Sequence, residues 1–309
     1  MEIIVQTGGL MRHVGWEEGS RMLKDIGFAG VDWNLDAHVN RAAFKEGVLP
    51  KDHFFLHSPD EIKKNLDHQL QPMLAAGLEI RQAHAPFPPY MASMPELMDL
   101  SVRMYKSILP FCSQIGVKDI VVHGVPWFAN DPNQPTFEDN WDLNMRLYEP
   151  LIPVLLECST RVCLENLFCN HRGHLVEAVC SNVNQAQAMV DALNAKAGKD
   201  VFGFCVDTGH LNLLGKVQSQ FIGQMGKRVT ALHIHDNDGT RDEHLAPYTG
   251  CIDWDDFIKG LKIAGYRGDI CFETFQQVAP ERVSKDVVPV WLQAIYGIGE
   301  AFRKRLTEE

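Results

Sequence analysis

Acidic side chains and histidines recur at the carboxyl ends of the apolar, β-branched segments of this sequence. Segment by segment, these terminal residues are His84, His123, Glu165, Asp207, His235 and Glu273. His210 follows three residues after Asp207, and Asp242 and His244 follow in the segment after His235. Imidazole and carboxylate groups without a thiolate are the ligand set of divalent Mn, Zn, Co and Fe. Charged side chains are rarely buried unpaired, so bound cations are the simplest explanation if these residues converge.

The apolar segments alternate with longer segments of helical period. The predicted strands are Ile3–Gln6, Gly30–Trp33, Glu79–His84, Asp119–His123, Arg161–Asn166, Phe202–Asp207, Val229–His235 and Asp269–Thr274. The predicted helices are Trp16–Ile26, Pro59–Leu78, Leu97–Ile115, Phe137–Cys158, Val183–Lys196, Leu211–Met225, Trp254–Ala264 and Lys285–Lys304. Eight such βα units predict an α/β fold, a single (β/α)8 TIM barrel with its active site at the C-terminal ends of the strands. Because no linker interrupts the pattern, residues 1–309 are predicted to form one domain.

Two glutamates suggest the chemistry of such a rim. Glu165 and Glu273 end the fifth and eighth predicted strands, so in a closed ring they approach the centre from different sides. Two carboxylates beside a metal-bound hydroxy-carbonyl group could remove a proton from one carbon and return one. The alternative is that both glutamates are metal ligands without a proton-transfer role.

The strand-end residues resemble those of the xylose isomerase-like barrels, which include sugar isomerases, ketose 3-epimerases, inosose dehydratases and endonuclease IV-type apurinic endonucleases. The resemblance implies a divalent metal (Mn²⁺, Zn²⁺ or Co²⁺). It implies that the metal ligands are Glu165, Asp207, His235 and Glu273, of which the two glutamates are also the catalytic acid and base. His235 is preferred to His233 as ligand because it lies two residues nearer the rim. The predicted function is therefore a metal-dependent sugar or polyol isomerase or epimerase.

The same residues also resemble the trinuclear zinc site of endonuclease IV. All nine ligand positions of that site have matching residue types here: His84, His123, Glu165, Asp207, His210, His235, Asp242, His244 and Glu273. His84, His123, His210, Asp242 and His244 are accordingly further candidate metal ligands. An apurinic endonuclease is the first alternative function.

The composition of the predicted rim loops argues against a nucleic-acid substrate. The loops after the third, fourth and sixth predicted strands contain no Lys or Arg, whereas phosphate binding needs several. The rim loops are instead rich in aromatic residues: Phe87, Tyr90, Trp127, Phe128 and Phe168. Aromatic walls suit the apolar face of a sugar or polyol ring.

Substrate contacts follow partly from the resemblance and partly from this rim. The predicted substrate-binding residues are His210, Arg241, His84, His123, Trp127 and Phe87. His171 stands where the ketose 3-epimerases have a further substrate-binding glutamate, which argues against that particular activity. A non-catalytic sugar-binding barrel is the second alternative.

The composition is that of an ordinary folded chain of 309 residues, 45% hydrophobic, with a formal net charge of -11. This charge disfavours phosphate backbones and anionic membranes as partners. No apolar run reaches the roughly 18 to 20 residues of a membrane-spanning helix, and the N-terminus lacks the features of a signal peptide. The eight cysteines form no CxxC pair, and most of them lie in apolar stretches, which favours buried thiols. A cytoplasmic protein acting on a small molecule is expected, with a homo-oligomer left open.

Overall fold

The structure, a computed structural model, describes residues 1–39, 52–88, 96–125 and 137–308. Its strands are β1 (Ile3–Gln6), β2 (Gly30–Asn34), β3 (Glu79–His84), β4 (Asp119–Val121), β5 (Arg161–Glu165), β6 (Phe168–His171), β7 (His174–Glu177), β8 (Phe202–Asp207), β9 (Val229–His233) and β10 (Ile270–Phe272). Eight of them form one sheet in the order β10-β1-β2-β3-β4-β5-β8-β9, and a parallel bridge between Ile234 and Phe272 joins β9 to β10. The predicted (β/α)8 barrel is therefore confirmed as the fold class. The single domain over residues 1–309 stays a prediction.

Helices follow the strands of this sheet, as predicted. They are α1 (Gly8–Val14), α2 (Trp16–Ile26), α3 (Pro59–Ala75), α4 (Glu96–Gln114), α5 (Phe137–Tyr148), α6 (Ile152–Glu157), α7 (Val183–Ala197), α8 (Thr208–Leu213), α9 (Gln218–Met225), α10 (Trp254–Ala264) and α11 (Val288–Thr307). Within the described ranges no helix is long and apolar enough to cross a membrane.

Two predicted helices are each divided in two. The segment predicted as Phe137–Cys158 is α5 and α6 with a 3₁₀ turn between them, because Pro150 and Pro153 lack the backbone N–H that would continue one helix. The segment predicted as Leu211–Met225 is α8 and α9, which are separated at Gly215, where φ is +63°.

The chain forms two compact units, and the first comprises residues 1–33, 69–81 and 204–309. In its core the C-terminal helix α11 lies against β1 and β10 at Gly299. A Cβ atom there would come within 2.9 Å of the Ile3 and Phe272 side chains, so only a glycine allows this close approach. Phe302 of the same helix stacks on Trp254, with ring centroids 5.5 Å apart.

The second unit comprises residues 34–68 and 82–203. Its helices hold the segments that leave β3 and β4 through side-chain hydrogen bonds to the backbone. Tyr105 Oη donates to the Pro86 carbonyl (2.6 Å), and Tyr148 Oη donates to the Val122 carbonyl (2.8 Å). Asn144 Oδ1 accepts from the backbone N–H of Val125 (2.7 Å). The backbone on both sides of His123 is thereby fixed.

Candidate metal centre

In the first unit, acidic and histidine side chains from β8, β9, β10 and the segments that follow them lie together. We call this group the Asp207 cluster: Asp207, His210, His235, Asp242, His244 and Glu273. Five of the six are buried, and Asp242 is half-buried. All six were predicted to lie at the carboxyl ends of strands or in the loops after them, and the structure brings them together.

Asp207 is the last residue of β8 and also the N-cap of α8. Its Oδ1 accepts the backbone N–H of His210 at 2.7 Å, so the first turn of α8 fixes the carboxylate. Both carboxylate oxygens lie 3.0 Å from His235 Nε2. The His210 side chain completes this corner, with Nδ1 3.7 Å from Asp207 Oδ1 and Nε2 3.5 Å from Asp242 Oδ2.

His235 lies two residues beyond β9 and is held by α8. Thr208 Oγ1 donates to the His235 carbonyl (2.7 Å) and accepts the His235 N–H (3.0 Å). The imidazole occupies space that a side chain at position 209 would fill, since a Cβ on Gly209 would come within 2.0 Å of its Cε1 atom. Position 209 therefore requires glycine for the ring to lie beside Asp207.

Asp242 and His244 lie on the loop between β9 and α10. Asp236 anchors this loop: its carboxylate accepts the Ile252 N–H and the Trp254 indole N–H, and its backbone pairs with Leu245. The segment 236–239 is thus a polar structural turn. His244 has φ +47°, an uncommon conformation for a non-glycine residue that is associated with functional sites.

The orientation of His244 suits a metal ligand. Its Nδ1 lies 3.2 Å from the Glu273 carbonyl, and a carbonyl accepts, so Nδ1 carries a proton. The other nitrogen, Nε2, faces Asp242 Oδ2 at 2.9 Å. Metal-binding histidines commonly direct one nitrogen to a backbone carbonyl in this way and the other to the metal.

Glu273 immediately follows β10 and lies on the far side of the cluster. Gln6 of β1 donates its Nε2 to Oε1 at 2.5 Å. The other oxygen, Oε2, lies 3.5 Å from Nδ1 of His244 and 3.5 Å from Nδ1 of His233. Both carboxylate oxygens therefore have defined neighbours.

The charges in the cluster change the acidity of two members. Burial raises the pKa of the Asp242 carboxyl, but the adjacent His210 and His244 outweigh it and bring this pKa well below its ordinary value. Burial lowers the pKa of His244, but the charge of Glu273, with the hydrogen bond and charge of Asp242, raises it to about 9. Without a bound cation, the protonated His244 thus supplies positive charge that balances the neighbouring carboxylates.

A second group of side chains lies in the second unit at the ends of β3, β4 and β5. We call it the His84 cluster: His84, His123 and Glu165. His123 Nε2 lies 3.1 Å from His84 Nε2 and 2.6 Å from Glu165 Oε2. His84 Nδ1 donates to the Ala85 carbonyl at 2.8 Å, which leaves its Nε2 unprotonated in the neutral ring.

The donor atoms in both clusters fit a divalent metal ion. In the Asp207 cluster, one ligand atom each from Asp207, His210 and His235 lie within 4.8 Å of one another, and so do ligand atoms of His235, His244 and Glu273. The three residues of the His84 cluster meet the same criterion. In the described part of the chain, the buried His235 Nδ1 and Asp242 Oδ1 atoms make no hydrogen bond. Buried polar atoms of this kind are costly unless something binds them.

The structure describes some of the other predicted substrate-binding and aromatic rim residues but not all of them. Phe87 packs on the His84 cluster, with its ring centroid 4.1 Å from that of His123, and its backbone N–H is held by Asp36 Oδ1. Arg241 is exposed, and its contact with substrate stays a prediction. Trp127 lies outside the described residues, as do Tyr90 and Phe128.

Two polar residues beneath the Asp207 cluster were not among the predicted site residues. Gln6 contacts Glu273, and Asp32 lies 3.2 Å from His233 Nε2. His233 itself ends β9 and is fully buried, in agreement with its predicted place below the rim. A carboxylate inside the apolar run Gly-Val-Asp-Trp of β2 was the available signal for Asp32, since unpaired buried carboxylates are rare.

Comparisons with known proteins agree with this architecture. The family model described as xylose isomerase-like TIM barrel matches residues 20–295. A curated relative, the uncharacterized protein y4fM of Sinorhizobium fredii, is 28% identical over 173 residues, which cover 56% of this chain and 52% of the relative. The chain thus matches about half the length of that relative.

Two solved structures share the fold over nearly the whole length. A D-allulose 3-epimerase from Methylomonas sp. superposes with a TM-score of 0.69 at 15% identity, covering 99% of this chain and 98% of the other. The IOLI protein with a binding zinc atom superposes with a TM-score of 0.65 at 15% identity and the same coverage. At these identities the likeness shows the fold alone. With the family model matching most of its length, the chain belongs to the xylose isomerase-like TIM barrel family.

Proposed function

We propose that this protein is a metal-dependent sugar or polyol isomerase or epimerase. The Asp207 cluster is the observation that carries the proposal. It gathers three carboxylates and three imidazoles in one largely buried group, with neighbouring donor atoms 2.9 to 3.8 Å apart. Such a concentration of anionic ligands is stable when a cation neutralises it, so its most direct use is to bind a divalent ion.

Asp207, His235 and Glu273 would hold the metal, together with Glu165 according to the family resemblance. His210, Asp242 and His244 are further candidate ligands from the same cluster. A bound divalent ion would supply Lewis acidity, which polarises a substrate carbonyl or hydroxyl group and acidifies the neighbouring C–H bond. Mn²⁺, Zn²⁺ and Co²⁺ all suit these oxygen and nitrogen donors, and the zinc named for the IOLI structure is consistent with this set.

Glu273 is proposed as one of the two proton-transfer groups. Its Oε1 is held by Gln6, while Oε2 lies on the side of His244 within the cluster. A carboxylate held in this way can accept a proton from a substrate carbon with little loss of side-chain freedom during the reaction. Its proximity to the other donors also suits Glu273 to a purely ligating role, as an alternative to proton transfer.

Glu165 is proposed as the second proton-transfer group. It ends β5, and burial leaves only 1% of its side chain exposed. The His123 imidazole lies beside Oε2 and, once protonated, would neutralise the carboxylate. One glutamate would accept the proton from a substrate C–H bond, and the other, in its protonated form, would donate a proton back to carbon. Return to the same carbon on the opposite face gives an epimer, and return to the neighbouring carbon gives an isomer.

The substrate class is supported by the aromatic side chain beside the His84 cluster and by the epimerase among the structural relatives. The face of Phe87 suits the apolar C–H surface of a sugar or polyol. His171, which replaces the epimerases' additional glutamate, lies on the hairpin of β6 and β7. The proposal therefore extends to isomerases and epimerases as a group and is not confined to ketose 3-epimerases.

Solvent deuterium exchange tests the proposed reaction. The Mn²⁺-, Co²⁺- or Zn²⁺-loaded protein is incubated in D₂O with a panel of aldoses, ketoses and cyclic polyols, and label at carbon is followed by NMR. We expect exchange into at least one substrate, and a loss of about 10²- to 10⁴-fold in Glu165→Gln and in Glu273→Gln. Exchange that persists in both variants would show that the two-glutamate mechanism is wrong.

Glu243→Gln is a suitable control for this experiment, because Glu243 lies on the same loop as Asp242 but accepts a backbone N–H from Asp238 instead of facing the cluster. It should exchange as the unmodified protein does. Sugar binding without exchange in any protein tested would favour a non-catalytic sugar-binding barrel.

A second candidate function is an apurinic endonuclease of the endonuclease IV type. The observation in its favour is the donor set beyond the four epimerase ligands: the His84 and His123 imidazoles in one unit, and His210, Asp242 and His244 in the other. Cleavage of a duplex with one abasic site, compared with an intact duplex, tests it. Cleavage by protein that contains three metal ions per chain would replace the isomerase proposal.

A further inference from the structure

A line of three buried side chains runs behind the Asp207 cluster. Asp32 on β2 places Oδ2 3.2 Å from Nε2 of His233 at the end of β9. The opposite nitrogen of that ring, Nδ1, lies 3.5 Å from Oε2 of Glu273. One imidazole therefore stands between two carboxylates.

This line is fully removed from solvent at its inner end. The side chains of Asp32 and His233 have no exposed area, whereas Glu273 retains 8% at its outer end. The Cys271 thiol also lies near Asp32 Oδ2, at 3.7 Å. Neither Asp32 nor His233 is a predicted metal ligand, and neither has a part in the proposed reaction.

A buried carboxylate is costly, and the core at this depth could be filled by apolar side chains at lower cost. The Asp32 contact fixes the plane of the His233 ring, because both ring nitrogens then have a carboxylate oxygen in front of them. A carboxylate behind an imidazole is a common way to set the orientation of a group in a metal site.

We propose that Asp32 and His233 are positioning residues that hold the carboxylate of Glu273 in place. His233 faces Oε2, while Gln6 holds Oε1, so the two contacts fix the rotation of the carboxylate about its last bond. The inference rests on the proposed function in one respect only, namely that Glu273 binds metal and transfers a proton. Its effect on metal binding can be measured without a substrate.

Asp32→Asn tests the inference, because asparagine has nearly the same shape but lacks the charge that orients His233. Co²⁺ is the probe: its affinity is measured by titration calorimetry on the full chain, and its visible absorption spectrum reports the ligand geometry. We expect Co²⁺ to bind about 10- to 100-fold more weakly, with a changed spectrum. Substrate deuterium exchange should fall by a similar factor through kcat, with KM little changed.

Cys271→Ala is the matched control. It removes a thiol that contacts Asp32 Oδ2 at the same depth of the core, and it should retain the Co²⁺ affinity and spectrum of the unmodified protein. A melting curve in EDTA confirms that each variant is folded under the conditions of the titration. His233→Gln provides a second variant, because glutamine reaches only one of the two carboxylates, and it should resemble Asp32→Asn.

The possible outcomes separate this inference from the proposed function. Asp32→Asn that binds Co²⁺ and exchanges deuterium as Cys271→Ala does would overturn the positioning role and leave the function standing. Weaker Co²⁺ binding in Asp32→Asn, with no exchange by the unmodified protein on any sugar, would support the positioning role and contradict the function. An unmodified protein that binds no Co²⁺ would overturn both.

Discussion

At the scale of single residues, the candidate site depends on how its imidazoles are oriented. His84 and His244 each turn Nδ1 to a backbone carbonyl, which directs Nε2 toward neighbouring carboxylate or imidazole groups. His235 depends instead on space, because its ring lies where a side chain at position 209 would be. These orientations come from the backbone around each histidine, which explains how a buried group of charged side chains keeps one arrangement.

Gly209→Ala tests the spatial requirement. The added methyl group would lie 2.0 Å from His235 Cε1, so the ring must move away from Asp207. We expect a destabilisation of about 1–3 kcal/mol by denaturant unfolding and a loss of about tenfold or more in Mn²⁺ affinity by calorimetry. Gly297→Ala is the control. That position on α11 is exposed, and a Cβ atom added there would have no atom of another part of the structure within 4 Å, so alanine should stabilise the helix by about 0.5–1 kcal/mol. Equal metal binding by both variants would contradict the argument.

Asp207 caps α8 and is also a proposed metal ligand, and these two roles can be tested separately. Asp207→Asn keeps an oxygen that can cap α8 but removes the negative charge, so the fold should persist while divalent-metal affinity falls by tenfold or more. Asp253→Asn makes the same change at the N-cap of α10, outside the Asp207 cluster, and should leave metal affinity unchanged. Calorimetric titration with Mn²⁺ compares them. If both variants lose metal affinity equally, the loss comes from removing a capping carboxylate in general, and Asp207 is not shown to be a ligand.

Among the secondary-structure elements, the hairpin of β6 and β7 needs residues that tolerate positive φ at its turn. Its turn has positive φ at both central residues, +53° at Arg172 and +86° at Gly173, as in a type I′ turn. Arginine is a poor residue there. Arg172→Asn should therefore stabilise the protein by a few tenths of a kcal/mol in denaturant unfolding, whereas Gly173→Ala should destabilise it by about 1 kcal/mol. The reverse order of stabilities would show that the turn is not formed as described.

Most strands could be predicted from the sequence, but the β6–β7 hairpin and the division between α8 and α9 could not. Strands such as Glu79–His84 and Phe202–Asp207 are short apolar runs between helical segments, and their predicted and observed bounds agree. The β6–β7 hairpin was missed because its strands have four residues each, lie mostly near the surface and carry no clear alternation. The division between α8 and α9 depends on the backbone conformation at Gly215, and hydrophobic periodicity does not report that.

As with the secondary structure, only part of the candidate site could be predicted from the sequence. Rules about parallel sheets bring strand-end residues such as Asp207 and Glu273 to one rim, so their grouping follows from sequence. The partners that orient them do not, because Gln6 and Asp32 come from strands near the N-terminus whose neighbours depend on sheet order. His233 could be placed below the rim by its spacing from His235, but its contact with Asp32 required the structure.

At the scale of the whole molecule, the packing of each unit can be tested through its cysteines. Burial raises the pKa of the Cys180 thiol to about 12, and it raises those of Cys112 and Cys271 well above the usual value, so little reactive thiolate forms at pH 8. Cys251 is exposed. Iodoacetamide should therefore modify Cys251 in the native protein, whereas the three buried thiols should react only after unfolding, as mass spectrometry of peptides would show. Rapid native modification of Cys112 or Cys271 would contradict the described core.

The structure also shows where part of the net charge of -11 is located. Part of the acidic excess lies in the Asp207 cluster, where Asp207, Asp242 and Glu273 are grouped with histidines and are not solvated surface charges. A bound divalent ion would make the working charge less negative. The argument against nucleic acid consequently rests on the scarcity of Lys and Arg in particular loops more than on the total charge.

Binding of a divalent metal ion by the Asp207 cluster can be tested by measuring the metal content of the protein. Protein purified without chelator is analysed by inductively coupled plasma mass spectrometry, alongside Asp207→Asn prepared in the same way. We expect at least one Mn, Co, Zn or Fe ion per chain in the unmodified protein and a clear reduction in the variant. Metal-free protein whose melting temperature does not respond to added Mn²⁺, Co²⁺ or Zn²⁺ would contradict it.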